Sequence, residues 1–421
     1  MRFLYDILFG IYALVYLPIL VLRGKWHSGF RERFGFFPPD VTKLLSETRN
    51  IWVHAVSVGE VAVVEGVITG LRKRYPDHRI VLTVTTKTGY SFAQRKYQGT
   101  VMVFWSPLDF SLTVQSFIRT IHPVFYVAAE TELWPNLFRS LSLQGIKIFV
   151  VNGRISDQAF PRYMLARKIL RNTLARVRLF IMQSKIDADR ILAMGAPSEA
   201  VRIAGNIKFD NMPGLATIDP AKYGFDPRHL VFLGGSTHPG EEAHLINIYK
   251  SFKDEYPALR LVLAPRHPER AALIAELVRQ SGLTPQFFSK NTNVIGTDSV
   301  LVIDTIGHLI DLYSLATIVF VGKSLSAGGG HNIIEPAVFG KPVMIGPMMG
   351  NFRDITSAFL AEKAVIQVPD ALALKESVRQ LLADPAQRRT LGELARMVVQ
   401  RNRGAGIRIL DLVAEAVGDL E

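Results

Sequence analysis

From residue 51 onward, short apolar runs alternate with longer stretches of helical spacing. Ile51–Ser57 predicts a strand, Val61–Tyr75 a helix and Arg79–Thr85 the next strand. Further strands are predicted at Val101–Trp105, Val124–Ala128, Lys147–Val151, Leu179–Gln183 and Val201–Ala204. A second series runs through His229–Leu233, Leu259–Ala264, Val300–Ile303, Thr317–Val321, Pro342–Ile345 and Ala364–Val368. Near-continuous apolar strands separated by helices are the pattern of parallel sheets covered on both faces. Asn211 to Pro227, rich in Pro, Gly and Asp, divides the two series and reads as a linker. The expected architecture is α/β, with two doubly wound Rossmann-like domains facing each other across a cleft. Residues 25–210 form the first domain, 211–227 the linker and 228–395 the second domain. A helical tail over 396–421 closes the chain, helical character beginning near Arg388. No internal repeat or low-complexity tract interrupts the pattern.

The amino terminus departs from it. Phe3 to Leu22 is apolar apart from Asp6, Gly10 and Pro18, long enough for a membrane helix. No small-x-small cleavage site follows, while Arg23, Lys25, Arg31 and Arg33 supply the cationic flank of a cytoplasmic side. Residues 1–24 are therefore expected to be a signal anchor or a helix lying in the inner leaflet; the alternative is a buried core helix. The net charge of +12 and pI near 9.8 call for an anionic partner: nucleic acid, an acidic membrane face or a phosphorylated substrate. Arg162 to Arg178 sets Arg162, Arg167, Lys168 and Arg171 among Met164, Leu165, Ile169 and Leu170. Such a basic amphipathic stretch suits an anionic membrane, or packs on a core with its basic face solvated. Aromatic residues are nearly absent from it, which counts against single-stranded nucleic acid. The chain has no cysteine, which excludes disulfides, thiolate metal sites and thiol nucleophiles.

In open α/β sheets, ligands bind beyond the carboxyl ends of the strands, so the loops there hold the candidate chemistry. The densest is Ser326–Gly346, SAGGGHNIIEPAVFGKPVMIG. Gly328 to Gly330 allow close approach to a ligand. Asn332 is an expected N-cap for a helix containing Glu335 and Pro336. Such a start suits a phosphate, and Glu335 a ribose diol; the alternative is a flexible surface loop. In the first domain, Glu60 follows His54-Ala55-Val56-Ser57-Val58-Gly59 at a strand-to-helix turn. The positive helix end would help keep it ionised, as a general base requires, although acids are common in first turns. Ala55-x-Ser57-x-Gly59 also has the outline of a hydrolase nucleophile elbow, which needs a downstream acid and histidine and is disfavoured here because the turn follows the first strand of its domain. Glu130 and Glu132 end an apolar strand, where burial would raise a carboxyl pKa, unless they merely decorate a helix start. Lys208, in Gly205-Asn206-Ile207-Lys208-Phe209-Asp210, is placed to meet a phosphate or carboxylate, or is a solvated lysine. In the second domain, Ser236 and Thr237 lie in a Gly-rich turn, Pro265 and Arg266 end a strand, and Ile306-Gly307-His308 follows another. Taken singly, each is also an ordinary turn. Neither GxxxxGK[ST] nor GxGxxG is present. Asp187-x-Asp189 lies in a helical stretch, and the ten histidines lack ligand spacing, so no metal is expected.

Together these stretches resemble the 3-deoxy-D-manno-octulosonic acid (Kdo) transferases of lipopolysaccharide biosynthesis. The likeness rests on HAVSVGE, ETELWPN, NGRIS at Asn152–Ser156, GNIKFD, PRHPER, GGGHNIIEP and GKPVMIGP, in that order along the chain. It implies a GT-B fold with an N-terminal membrane anchor and the catalytic domains on the cytoplasmic face of the inner membrane. It also implies inverting transfer of Kdo from CMP-Kdo to the 6′-hydroxyl of a lipid A precursor, without metal or other cofactor. By resemblance Glu60 is the base, and Glu130 and Lys208 stabilise the transition state. Pro265 and Arg266, Ile306, Gly307 and His308, and Asn332, Ile333, Ile334 and Glu335 bind CMP; Ser236 and Thr237 join them on physical grounds. Arg162, Arg167, Lys168 and Arg171 are candidates for membrane or acceptor contact. Alternatives are a sugar-nucleotide epimerase of similar two-domain fold and a non-catalytic membrane-bound glycan- or nucleic-acid-binding protein.

Overall fold

The structure is a computed structural model that describes residues 5–7, 10–11, 29–210, 218–290, 294–326 and 328–418. Most of the expected anchor and the first part of the expected linker, residues 211–217, lie outside the described residues. Among the described residues, no helix is long and apolar enough to cross a membrane.

The chain divides into two compact units, Met1–Asn211 with Arg403–Glu421, and Met212–Asn402. Among the described residues the first holds seven strands: β1 (Arg49–Ala55), β2 (His78–Val84), β3 (Met102–Trp105), β4 (Pro123–Ala129), β5 (Lys147–Gly153), β6 (Leu179–Met182) and β7 (Val201–Ile203). They pair in parallel in the order β3-β2-β1-β4-β5-β6-β7. Side chains alternate between faces with period two. Ile51, Val53, Phe125, Val127, Phe149 and Val151 enter one core; Trp52, Tyr126, Ala128, Ile148 and Val150 enter the other. Burial on both faces explains why these strands read as unbroken apolar runs.

The tail, read from the sequence as a separate element, belongs to the first unit from Arg403 onward. Its helix Ala405–Val417 buries Ala405, Ile409, Val413 and Val417 in the first of those cores. Lys147 Nζ donates to the Val417 carbonyl at 2.6 Å. The helix comes so close to Glu65–Arg74 that a Cβ on Gly70 would lie 2.0 Å from Leu410.

The second unit also holds seven strands: β8 (Leu230–Thr237), β9 (Leu259–Pro265), β10 (Thr284–Phe287), β11 (Ser299–Val302), β12 (Ile318–Val321), β13 (Val343–Ile345) and β14 (Ile366–Gln367). The parallel order is β10-β11-β9-β8-β12-β13-β14. Strand order reverses direction between β1 and β4 in one unit and between β8 and β12 in the other. These are the switch points at which doubly wound sheets bind ligands.

Three expectations are corrected. The helix over Val61–Tyr75 is two, Val58–Val63 and Glu65–Arg74, joined at Val64. The basic stretch Arg162–Arg178 likewise breaks at Ala166 into Ala159–Leu165 and Arg167–Leu174. Strand β10, with Pro285 inside it and no fully buried residue, is an edge strand that the sequence pattern did not show.

Candidate active site

At the first switch point, Ser57 is the N-cap of the helix Val58–Val63 and Glu60 lies in its first turn. One carboxylate oxygen of Glu60 accepts from the Val56 N–H at 2.8 Å, and the other from the Ser57 hydroxyl at 3.3 Å. Burial pushes the Glu60 carboxyl up to about 7, and the charge of Glu130 adds to this. The Val56 N–H, the Ser57 hydroxyl and Lys208 pull the other way without prevailing. The helix end therefore does not settle its ionisation, as the sequence alone led us to expect; desolvation does. A carboxyl poised near neutrality is better matched to proton abstraction than one at the ordinary carboxylate value. The nucleophile-elbow alternative fails on geometry. Ser57 is extended (φ −126°, ψ 171°), and His54 points its Nδ1 at Thr83 Oγ1, 3.0 Å away.

Glu130 leaves β4 with a left-handed backbone (φ 53°), a conformation rare for a residue with a side chain, its N–H donating to the Val151 carbonyl. Thr131 fixes the next step, its hydroxyl accepting from the Arg154 N–H at 3.0 Å. Glu132 is raised to about 7 by burial and then by the charges of Glu60 and Glu130, the Trp134 indole opposing. Three carboxylates thus share one end of the sheet, and Lys208 is the cation set among them. Burial lowers the Lys208 pKa and Arg154 lowers it further, while Glu130 and Glu60 raise it.

Lys208 is held by a chain of buried amides. Asn152, fully buried at φ 54°, accepts the Ile207 N–H at 3.1 Å through Oδ1. Gln183 Nε2 donates to the Asn152 carbonyl, and Asn206 Nδ2 donates to Gln183 Oε1 at 2.8 Å. Asn206 Oδ1 then accepts from the Lys208 N–H at 3.0 Å. On the far side, Asp210 accepts from the N–H groups of Gly404 and Gly406, and Arg408 Nε donates to the Ala204 carbonyl. The returning tail thereby braces the loop that carries the lysine.

At the second switch point, Glu241 is fully buried and accepts four backbone N–H groups: His238, Lys323, Ser324 and Leu325, at 2.9–3.0 Å. It ties the loop after β8 to the loop after β12. Gly322 permits that approach, since a Cβ there would lie 2.4 Å from the Ser236 carbonyl oxygen. Thr237 is buried and its hydroxyl lacks a partner among the described residues. Asn332 is one residue earlier than an N-cap; Ile333 holds that position, and Asn332 Oδ1 accepts from the Ile334 N–H at 3.1 Å. Asn332 Nδ2 donates to Glu335 Oε1 at 3.1 Å. Burial raises Glu335, against the pull of Asn332 and Arg266.

Two family models divide this chain as the two units do. One described as 3-deoxy-D-manno-octulosonic-acid transferase (kdotransferase) matches residues 28–211, and one for glycosyl transferases group 1 matches residues 243–398. The 3-deoxy-D-manno-octulosonic acid transferase of Haemophilus influenzae is 32% identical over 412 residues, covering 95% of this chain and 94% of that protein. The chain belongs to the Kdo transferase family. It is a glycosyltransferase. The Bordetella pertussis relative of the same description is 31% identical, covering 94% of this chain and 93% of that protein. In fold the chain is similar to a UDP-GlcNAc 2-epimerase from Neisseria meningitidis bound to UDP-GlcNAc (TM-score 0.60, 15% identity, 87% of this chain and 99% of that one). A glycosyltransferase from Rickettsia africae gives the same TM-score at 13% identity, covering 89% of this chain and 100% of that one. These likenesses establish two Rossmann-like domains of GT-B type and leave the chemistry to the site.

Within this Kdo transferase family member, the structure brings Glu60, Glu130 and Lys208 together. Arg266, Asn332 and Glu335 also converge, beside Thr237 and Ser236. Ile306 and Gly307 are solvent-facing after β11, Ile306 at 83% exposure, while His308 Nδ1 lies 3.1 Å from the Tyr223 hydroxyl. Glu132, read from the sequence with Glu130 as a strand-end carboxyl that burial would raise, is so raised; sequence reasoning did not place Arg154 or the Asn152–Gln183–Asn206 chain in the site. The neighbouring motifs ETELWPN and NGRIS carried that signal. Asp187-x-Asp189 is structural: Asp187 accepts from the Ile155 N–H and the Ser184 hydroxyl, and Asp189 pairs with Lys185.

Proposed function

We propose that this glycosyltransferase moves Kdo from CMP-Kdo to the 6′-hydroxyl of a lipid A precursor of the lipid IVA type, with inversion, in lipopolysaccharide biosynthesis at the cytoplasmic face of the inner membrane. The observation that carries the reading is Glu60: a buried carboxyl near neutral pKa, oriented by the Val56 N–H, with Glu130 and Lys208 at its side. Glu60 takes the proton of the acceptor hydroxyl as that oxygen attacks the anomeric carbon. Glu130 offsets positive charge developing on the sugar, and Lys208 negative charge on the departing phosphate. The second unit holds the nucleotide, with Arg266 and Asn332 through Glu335 as its principal contacts. CMP leaves readily, so positioning and one base suffice; general-base catalysis contributes about 10²–10⁴-fold. The reading needs no metal ion.

The helices Ala159–Leu165 and Arg167–Leu174 support a membrane-borne acceptor. They expose Arg162, Arg167, Lys168 and Arg171 beside Leu165 (90% exposed) and Ile169 (60% exposed). The test is Kdo transfer from enzymatically generated CMP-Kdo to a tetra-acylated lipid A precursor, with and without a chelator. Wild type should transfer in both conditions, and Glu60→Gln should bind CMP yet transfer at least about a hundredfold more slowly. CMP binding without transfer by wild type would remove the acceptor and the reaction from this reading.

A further inference from the structure

Six basic side chains gather at the switch point of the second unit, and the carboxylates nearby already have partners. His238, in the loop after β8, and His331, in the loop after β12, face each other with Nε2 atoms 3.1 Å apart. His331 also lies in the field of Arg266 and His267 from the end of β9 and of Lys323 from the loop after β12. His238 is surrounded by Glu241 and Arg270 as well as Lys323 and His267. Of the acids, Glu241 is filled by its four backbone N–H groups, and Glu242 takes Arg270 in a two-bonded pair at 2.8 and 3.2 Å. Glu335 accepts from Asn332. Burial, followed by the neighbouring cations, pushes His331 down to about 4, which keeps its ring neutral.

Two neutral imidazoles at 3.1 Å use one N–H between them: one Nε2 donates and the other accepts. One further proton would make one ring a cation beside Arg266, Lys323 and His267, and among the described residues the nearby carboxylates Glu241 and Glu242 already hold N–H or guanidinium partners while Glu269 pairs with His267. An anion would reverse that balance. A phosphoryl oxygen bridging the rings needs both Nε2 atoms as donors; two neutral Nε2–H tautomers would meet that need, but the negative charge of the phosphate favours meeting it by protonation of the pair.

We propose that His238 and His331 form the clamp for the donor's phosphoryl group, and that the pair takes up one proton as the phosphate binds. The inference rests on the nucleotide-sugar reading above and gives that site a proton-linked phosphate subsite. In the transfer, the acceptor oxygen bonds to the anomeric carbon and its proton passes to Glu60. The electron pair of the broken carbon–oxygen bond leaves with the phosphate, which goes from one negative charge to two. The protonated pair sits where that second charge appears, and deprotonation of the pair accompanies release of CMP.

Calorimetric titration of the full-length protein with CMP and with cytidine, in two buffers of different ionisation enthalpy, tests this directly. At pH 8 a free phosphomonoester, with a second pKa of about 6, is already a dianion, so proton uptake reports on the protein. Wild type should take up a substantial fraction of a proton with CMP and none with cytidine. His331→Gln and His238→Gln should each weaken CMP about tenfold or more, abolish the uptake and leave cytidine within about twofold. Equal proton change for the two ligands, or an unaltered CMP-to-cytidine ratio in both variants, overturns the clamp while leaving the nucleotide site intact. If wild type binds neither ligand, the nucleotide reading falls and the clamp with it. Should either variant fail to fold, the wild-type buffer pair decides the question alone.

Discussion

At the residue scale, Glu60, the base in the proposed reaction, shows how a fold can raise a carboxyl at some cost to itself. The unfolded chain would release this proton near 4.5, whereas the folded chain holds it to about 7. A carboxyl raised in the native state contributes its stabilisation below the unfolded value and loses it as pH rises through the folded one. Wild type should therefore lose stability between about pH 4.5 and 7, the window in which the base becomes competent. Glu60→Gln, neutral at every pH, should be more stable than wild type at pH 8 by on the order of 3 kcal/mol and nearly equal to it at pH 4. Thermal melts of both proteins across that range check the sign; an offset independent of pH would mean that ionisation is not its cause. The same carboxyl should give the transfer rate an acid limb centred near 7, missing from the residual activity of the variant.

At the scale of elements, the loops that carry chemistry are held by polar staples rather than by regular structure. Glu241 looks in the sequence like one more acid in a first helical turn, yet it is the shared acceptor for two loops. Glu241→Ala would leave the buried Ser324 N–H and the half-buried N–H groups of His238, Lys323 and Leu325 without their acceptor, a buried unsatisfied N–H costing about 1–3 kcal/mol. Amide exchange at His238, Lys323, Ser324 and Leu325 should accelerate together by at least about a hundredfold, whereas amides of β1 in the other unit should not change. Exchange confined to one of the two loops would contradict a shared staple. This contrast also marks what the sequence could reveal. Strands such as Ile51–Ala55 and Leu259–Pro265 are legible because burial on both faces writes an apolar run into the chain. The edge strand Thr284–Phe287, half-buried and containing a proline, leaves no such trace. Glu60, Glu130 and Lys208 were legible as polar groups at strand ends, but their burial was not, because neighbours far along the chain produce it. The Asn152–Gln183–Asn206 chain was hidden for the same reason: its members meet only once β5, β6 and β7 are side by side.

For the whole molecule, the questions are where the charge sits and what the tail does. The chain returns to its first unit at Arg403, and Asp210 and Arg408 turn that return into support for the Lys208 loop. The loop that carries Lys208 is thus braced by residues about 200 positions further along the chain. The excess of +12 is a property of the whole chain, and in the pair of basic helices it stands beside the exposed apolar side chains Leu165 and Ile169. Basic residues at an anionic surface contribute about 1 kcal/mol each at moderate salt. Replacing Arg162, Arg167, Lys168 and Arg171 with glutamine should therefore weaken partition onto phosphatidylglycerol-containing vesicles by about 4 kcal/mol, roughly a thousandfold, with little change on neutral vesicles. Raising the salt should bring wild type toward the variant, because screening acts on the same charges. Sedimentation with vesicles of both compositions measures this. If the variant stays bound to anionic vesicles as tightly as wild type, the basic helices are a solvated face, and any membrane attachment must come from the apolar run at the amino terminus.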